Sequence, residues 1–195
     1  MRPQLNPYLL CVYLWTAWWL SWLALAFFSK RTKQHESLAS RFSYTLIAWL
    51  ALWLMFFARR LDTHLEAAAF PDRPWIGWTG VAITAIGFGM TYWARAILGR
   101  NWSAAVTIKE DHELIRSGPY QFVRHPIYTG LLIAAVGTAL ALNQYRGLLA
   151  VFVLWLSFTL KRLKEERFMR QQFGAQYLDY ARTTGAILPR IQGRT

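Results

Sequence analysis

The 195-residue chain is 55% hydrophobic with 11 Trp and only 16% charged residues, too apolar and too aromatic for an ordinary soluble domain. Its net charge of +12 raises the question of a nucleic-acid partner. Seventeen of the 22 Lys and Arg, however, fall in segments that a membrane topology puts on one side (30–41, 95–124 and 161–194), and this positive-inside asymmetry leaves no nucleic-acid partner to be expected.

Five stretches lack Asp, Glu, Lys and Arg: 8–29, 42–58, 74–94, 126–145 and 147–160. Four approach or exceed the length that crosses about 30 Å of hydrocarbon at about 1.5 Å per helical residue. The fifth is shorter, and Arg146 and Lys161 are expected to extend it by snorkelling to the two interfaces. Pro7, Pro74 and Pro126 stand at the starts of apolar runs, where a helix tolerates proline. The first run is too long for a signal peptide and has no cleavage pattern. Leu38–Arg41 and Leu61–Arg73 read as short connections, and Trp75, Trp78 and Trp93 as interfacial anchors. Cys11, the only cysteine, reads as packing; no intrachain disulfide is possible and no metal site is expected. The expected fold is all-α: one polytopic integral membrane domain of five transmembrane helices, with the N-terminus outside and the C-terminus cytoplasmic.

Within that domain, 1–94 reads as a three-span scaffold and 95–195 as the functional half. The latter has a polar cytoplasmic stretch, a two-span hairpin turning tightly at "LNQYRG", and a charged tail predicted to form an amphipathic helix. Gly130, Ala134 and Thr138, and separately Gly137 and Ala141, recur at four-residue spacing, small residues that let helices approach closely.

Three stretches carry possible chemistry. In "YQFVRHPIYTG" (120–130), Pro126 at the first helical position makes His125 the cap residue and puts Tyr128 on a nearby face. The helix N-terminus and Arg124 then favour an anion, although contact of Arg124 and His125 with lipid headgroups, and Tyr128 as a belt residue, explains the same residues. In "KRLKEERFMRQQFGAQYLDY" (161–180), Lys161 with Glu165 and Arg162 with Glu166 have the spacing of helix ion pairs, which also suits a solvated helix end. Phe173, Tyr177 and Tyr180 form a stripe suited to packing. In "NWSAAVTIKEDHELIRSGPY" (101–120), Gly118-Pro119 signals a turn and His112 stands alone. No GxGxxG, P-loop or HExxH occurs, which excludes a Rossmann cofactor domain.

The order of these pieces is more specific than any one of them. His112-x-Leu114-Ile115, Gly118-x-Tyr120, Arg124-His125-Pro126-x-Tyr128-x-Gly130, Glu165-Glu166, Phe173-Gly174-x-x-Tyr177-x-x-Tyr180 and Pro189 follow one another as in the isoprenylcysteine carboxyl methyltransferase family, which this chain resembles from about residue 100 to 189. The resemblance implies a transferase using S-adenosylmethionine at a cytoplasmic pocket, with a lipophilic or lipidated acceptor, most naturally an isoprenylcysteine carboxylate. It implies cofactor contacts from His112, Glu113, Leu114, Ile115, Tyr120, His125, Pro126, Ile127, Tyr128 and Glu165, with Glu166 as a substitute and Thr107 in place of a family glutamine. His125, Tyr128, Arg124 and Lys161 are the expected catalytic residues, Lys161 replacing the family's substrate-orienting arginine. A lysine lacks the planar fork that fits a carboxylate, so a phospholipid amine or a small thiol stays open as acceptor. Beyond these stand a sterol-reductase-like enzyme using a nicotinamide cofactor and a non-catalytic membrane scaffold. The oligomeric state is not legible.

Overall fold

Proline opens three of the long helices, as the sequence requires. In the computed structural model, which describes residues 6–26, 32–35, 38–58, 63–99, 107–109 and 114–190 (32–35, 38–41 and 107–109 by backbone alone), Pro7 begins α1 (Pro7–Ala26). A short strand β1 (Thr32–His35) and helix α2 (Leu38–Phe56) follow, then the four-residue α3 (Thr63–Glu66). Pro74 begins α4 (Pro74–Leu98), which leads to strand β2 (Thr107–Lys109). After a 3-10 turn at Gly118–Gln121, Pro126 begins α5 (Pro126–Leu142), and α6 (Tyr145–Phe173) and α7 (Ala175–Thr183) complete the chain.

Helices α1 and α4, of 20 and 25 residues, are long and apolar enough to cross a membrane, while α2 and α5 carry shorter apolar segments. Two connections differ from the sequence reading. Leu38–Arg41 is the first turn of α2 rather than a linker, and Leu61–Arg73 contains α3. β1 and β2 pair antiparallel, joining the segment before α2 to the polar segment after α4.

The middle of the bundle is close-packed. Helix α4 lies along α5 at the small-residue faces: a Cβ added to Gly87 would stand 2.5 Å from the backbone of Gly130 and of Ala134, and one on Gly137 would stand 2.4 Å from the Gly80 carbonyl. Threonines supply the polar contacts there. Thr138 accepts a 2.9 Å hydrogen bond from the Trp15 indole, Thr91 accepts another of 2.9 Å from Trp18, and Cys11 packs 3.5 Å from the Thr84 hydroxyl. Trp15 and Trp18 of α1 pack on Phe88 and Trp22 stacks on Trp18, while Trp75, Trp78 and Trp93 face outward, where interfacial anchors belong. Helix α2 packs on α6.

Only Asn143 and Gln144 separate α5 from α6. Asn143 adopts a left-handed φ of 52°, and its side chain both accepts from the Phe70 N–H (2.8 Å) and donates to the Phe70 carbonyl (3.1 Å). Next to it, Arg146 departs from the expected snorkelling. Only 3% exposed, it donates to the Leu54 and Met55 carbonyls in the last turn of α2 (2.8 and 3.1 Å) and to Gln144. Those carbonyls have no partner within their own helix, and a guanidinium is suited to them both by hydrogen bonding and by the helix dipole.

Candidate active site

The other end of the α5–α6 pair gathers the charged residues. His125 is the N-cap of α5, with φ −125° and ψ 60°, and it makes no side-chain cap hydrogen bond. Tyr128, three residues on, stacks against it at 5.4 Å and 3°, as the first-turn spacing implies. Phe158 of α6 stacks on Tyr128 at 4.8 Å. Helix α6 runs past its apolar segment without a break and so delivers Glu165 and Glu166 to the start of α5.

The two glutamates divide the neighbouring cations and donors between them. Tyr128 donates to Glu165 Oε1 at 2.6 Å, His125 Nδ1 lies 3.4 Å from Glu165 Oε2, and Lys161 Nζ is 4.0 Å from Oε1. Glu166 is only 3% exposed, with its Oε1 at 3.2 Å from His125 Nε2, 3.0 Å from Arg124 Nη2 and 3.8 Å from Arg162 Nη1; Arg170 Nη2 is 3.5 Å from its Oε2. The i, i+4 pairs expected from sequence are present, but on a buried junction rather than a solvated helix end. Arg124 and His125 likewise turn inward, with side chains 11% and 10% exposed, and the anion that Arg124 meets is the protein's own Glu166.

This proximity sets the protonation states. Burial opposes charge on His125, yet the hydrogen bonds to Glu165 and Glu166 outweigh it and hold its pKa above the ordinary 6.5. Burial also opposes charge on Glu165, but His125, Lys161 and Tyr128 keep its pKa below 4.5. For Glu166, the His125 hydrogen bond and the Arg124 charge overcome burial and lower the pKa to about 2. Both carboxylates are therefore ionised at neutral pH. Counting Arg124, Lys161, Arg162 and Arg170 against them, the cluster keeps a positive surplus.

Around this centre, Tyr120 is buried in the 3-10 turn and its carbonyl accepts from the Tyr180 hydroxyl of α7. Tyr177 and Tyr180 are buried, so the C-terminal stripe packs as its spacing suggests, and Gly174 (φ 50°) makes the turn between α6 and α7. Pro126 is buried, Ile127 packs against the core, and Leu114 and Ile115 are half-buried on the approach to the 3-10 turn. His112 and Glu113 lie outside the described residues, and Thr107 is described only by its backbone, in β2.

Sequence reasoning missed two participants. Tyr44 of α2 is buried beside the site, with Lys161 Nζ 5.6 Å from its ring centroid and 5.3 Å from that of Tyr128. Inside an apolar run it read as one more aromatic. Thr129, which follows the motif tyrosine, donates at 2.6 Å to the Ile187 carbonyl of the C-terminal segment. Nothing in local sequence signals that partner.

Comparison with known proteins supplies a family context. Residues 75–176 match the phospholipid methyltransferase family. A probable protein-S-isoprenylcysteine O-methyltransferase from Oryza sativa subsp. indica is 32% identical over 176 residues, covering 87% of this chain and 88% of that protein. The protein-S-isoprenylcysteine O-methyltransferase of Saccharomyces cerevisiae is 29% identical, covering 67% of this chain and 60% of the yeast protein. Among solved structures, the eukaryotic intramembrane Ras methyltransferase ICMT (isoprenylcysteine carboxyl methyltransferase) shares the fold, with a TM-score of 0.55 at 23% identity over 82% of this chain and 56% of that one.

Proposed function

Since the chain belongs to the isoprenylcysteine O-methyltransferase family, we propose that it transfers a methyl group from S-adenosylmethionine to the carboxylate of an isoprenylcysteine-like acceptor held in the bilayer. The observation that carries this reading is the pair of ionised glutamates set among a surplus of cations at one end of α5 and α6. The topology that goes with it has five spans, an outer N-terminus and a cytoplasmic site, with α5 and α6 as the closing hairpin.

The residues present fit the cofactor. Glu165 keeps 21% of its side-chain surface open, a carboxylate for an ammonium group. The first turn of α5 receives no side-chain cap, so its N–H groups and positive helix end favour a carboxylate. When bound, S-adenosylmethionine supplies a methyl on a sulfonium: an acceptor carboxylate oxygen takes the methyl, the carbon–sulfur bond breaks and a neutral thioether leaves, with no proton to remove.

The chain's contribution is then to align and to exclude water. Lys161, braced by the rings of Tyr44 and Tyr128, orients the acceptor carboxylate. Arg162 sits beside it with a buried Nε that has no hydrogen-bond partner, a second donor for an anionic acceptor. Tyr128 fixes Glu165, His125 bridges both glutamates, and Tyr120, Leu114 and Ile115 supply an apolar wall for the adenine.

A phospholipid amine is the second reading, favoured by the family matched over 75–176. The positive surplus argues against it, because a cationic site repels an amine that must also lose a proton. Labelled methyl transfer from S-adenosylmethionine into a prenylated cysteine, its carboxamide and phosphatidylethanolamine vesicles tests both. Incorporation into the free carboxylate alone supports the first reading, and incorporation into the lipid amine overturns it.

A further inference from the structure

The segment after α7 is bound to the start of α5 along its length. Arg124 N donates to the Gly185 carbonyl at 2.9 Å and His125 N to that of Ala186 at 3.0 Å, with Val123 and Gly185 in parallel register. Thr129, one turn into α5, donates to Ile187 O. A strap of backbone thus occupies the N–H groups just ahead of a proline-started helix, where the helix itself offers no acceptor.

The Arg124 guanidinium ties this strap to the glutamates. Its Nη1 donates to the carbonyls of Ala181 and Thr184, at the C-terminal end of α7, while Nε and Nη2 reach Glu166 Oε1 at 3.3 and 3.0 Å. Those contacts occupy four of the five N–H donors of an arginine. A guanidinium so engaged has little left to offer an acceptor or a headgroup. Space confines the strap further, since a Cβ on Gly185 would stand 1.8 Å from the Leu188 carbonyl oxygen.

We propose that residues 184–187 are a latch and that Arg124 and Thr129 are positioning residues: together they hold His125 and Glu166 in the geometry that the cofactor site needs, without touching cofactor or acceptor. The latch lies beyond residues 75–176, the span that matches the phospholipid methyltransferase family. Its link to catalysis rests on the methyl-transfer reading above, whereas its effect on His125 does not.

The test uses full-length protein in nanodiscs with three variants, Thr129→Val, Thr129→Ser and Gly185→Ala, each checked to melt as a folded species. Amide hydrogen exchange over 123–125 and 184–187 reports whether the latch opens. The His125 titration midpoint, read by NMR without cofactor, reports whether the site moves. Thr129→Val and Gly185→Ala are expected to speed exchange, move the His125 midpoint toward 6.5 and weaken S-adenosylhomocysteine binding about tenfold, the worth of one buried hydrogen bond. Thr129→Ser, which keeps the hydroxyl, is expected to restore all three. Faster exchange with an unmoved His125 midpoint overturns the latch. A parent protein that binds no S-adenosylhomocysteine overturns the proposed function instead, and the His125 midpoints still decide the latch.

Discussion

Two buried arginines sit at opposite ends of the α5–α6 pair, and they do different work. Arg146, at the tight connection, meets two carbonyls of α2 and the Gln144 amide oxygen. Arg124, at the far end, meets two carbonyls and a carboxylate that itself touches a histidine. In sequence both are arginines at the margin of an apolar run. The difference teaches that a buried arginine is not by itself a functional mark: saturating helix-end carbonyls is scaffolding, whereas sharing a carboxylate with a titrating group links the residue to chemistry.

The sharpest break in this comparison comes at the Arg124 end. Glu165→Gln keeps the shape but not the charge, and methyl transfer is expected to fall about ten- to a hundredfold, with the loss appearing in S-adenosylhomocysteine affinity by calorimetry, as removal of one charged hydrogen-bond partner predicts. Unchanged affinity would take Glu165 out of the site. At the tight connection, Arg146→Met leaves the Leu54 carbonyl without its donor and the Met55 carbonyl with only the Tyr8 hydroxyl, which costs about 1–3 kcal/mol for the unsatisfied buried group. A lowered Tm with unchanged KM in the folded fraction is the expected result, and a changed KM would erase the contrast between the two arginines.

The two ends also part in their response to pH. Glu166 titrates lower folded than unfolded, so its stabilisation is complete above about 4.5 and is lost as pH falls through about 2. His125 titrates higher folded than unfolded, so its contribution is complete below 6.5 and is lost as pH rises through its elevated folded value. Melting curves from pH 3 to 9 should therefore peak between these limits, and Glu166→Gln should flatten both limbs, since each group depends on the other. Arg146→Met should shift the whole curve without changing its shape. The smallest effect is expected from Lys161→Arg: the charge stays while a planar fork replaces a point charge, so KM for a carboxylate acceptor changes only severalfold and cofactor affinity does not change.

What could be read from sequence was whatever local spacing controls. Proline-started helices, the small-residue face of α5, the ion pairs at i, i+4 and the position of Tyr128 relative to His125 all follow from helix geometry and appear as expected. Inward or outward direction did not follow, because it depends on partners far away in the chain. Arg146 turns in toward carbonyls about ninety residues earlier, and Arg124 turns in toward a strap sixty residues later. Tyr44 was invisible for the same reason, as a ring in an apolar run whose role comes from Lys161 on another helix. β1 and β2, of four and three residues, are too short to show a strand period.

The glycine seam between α4 and α5 also bears on lipid traffic. With no room for a methyl group at Gly87 or Gly137, there is none for an acyl or prenyl chain, and that flank is a wall rather than a doorway. A substrate dissolved in the bilayer must enter past another pair of helices. Enlarging either glycine should therefore weaken the bundle while leaving its choice among tail lengths as it was.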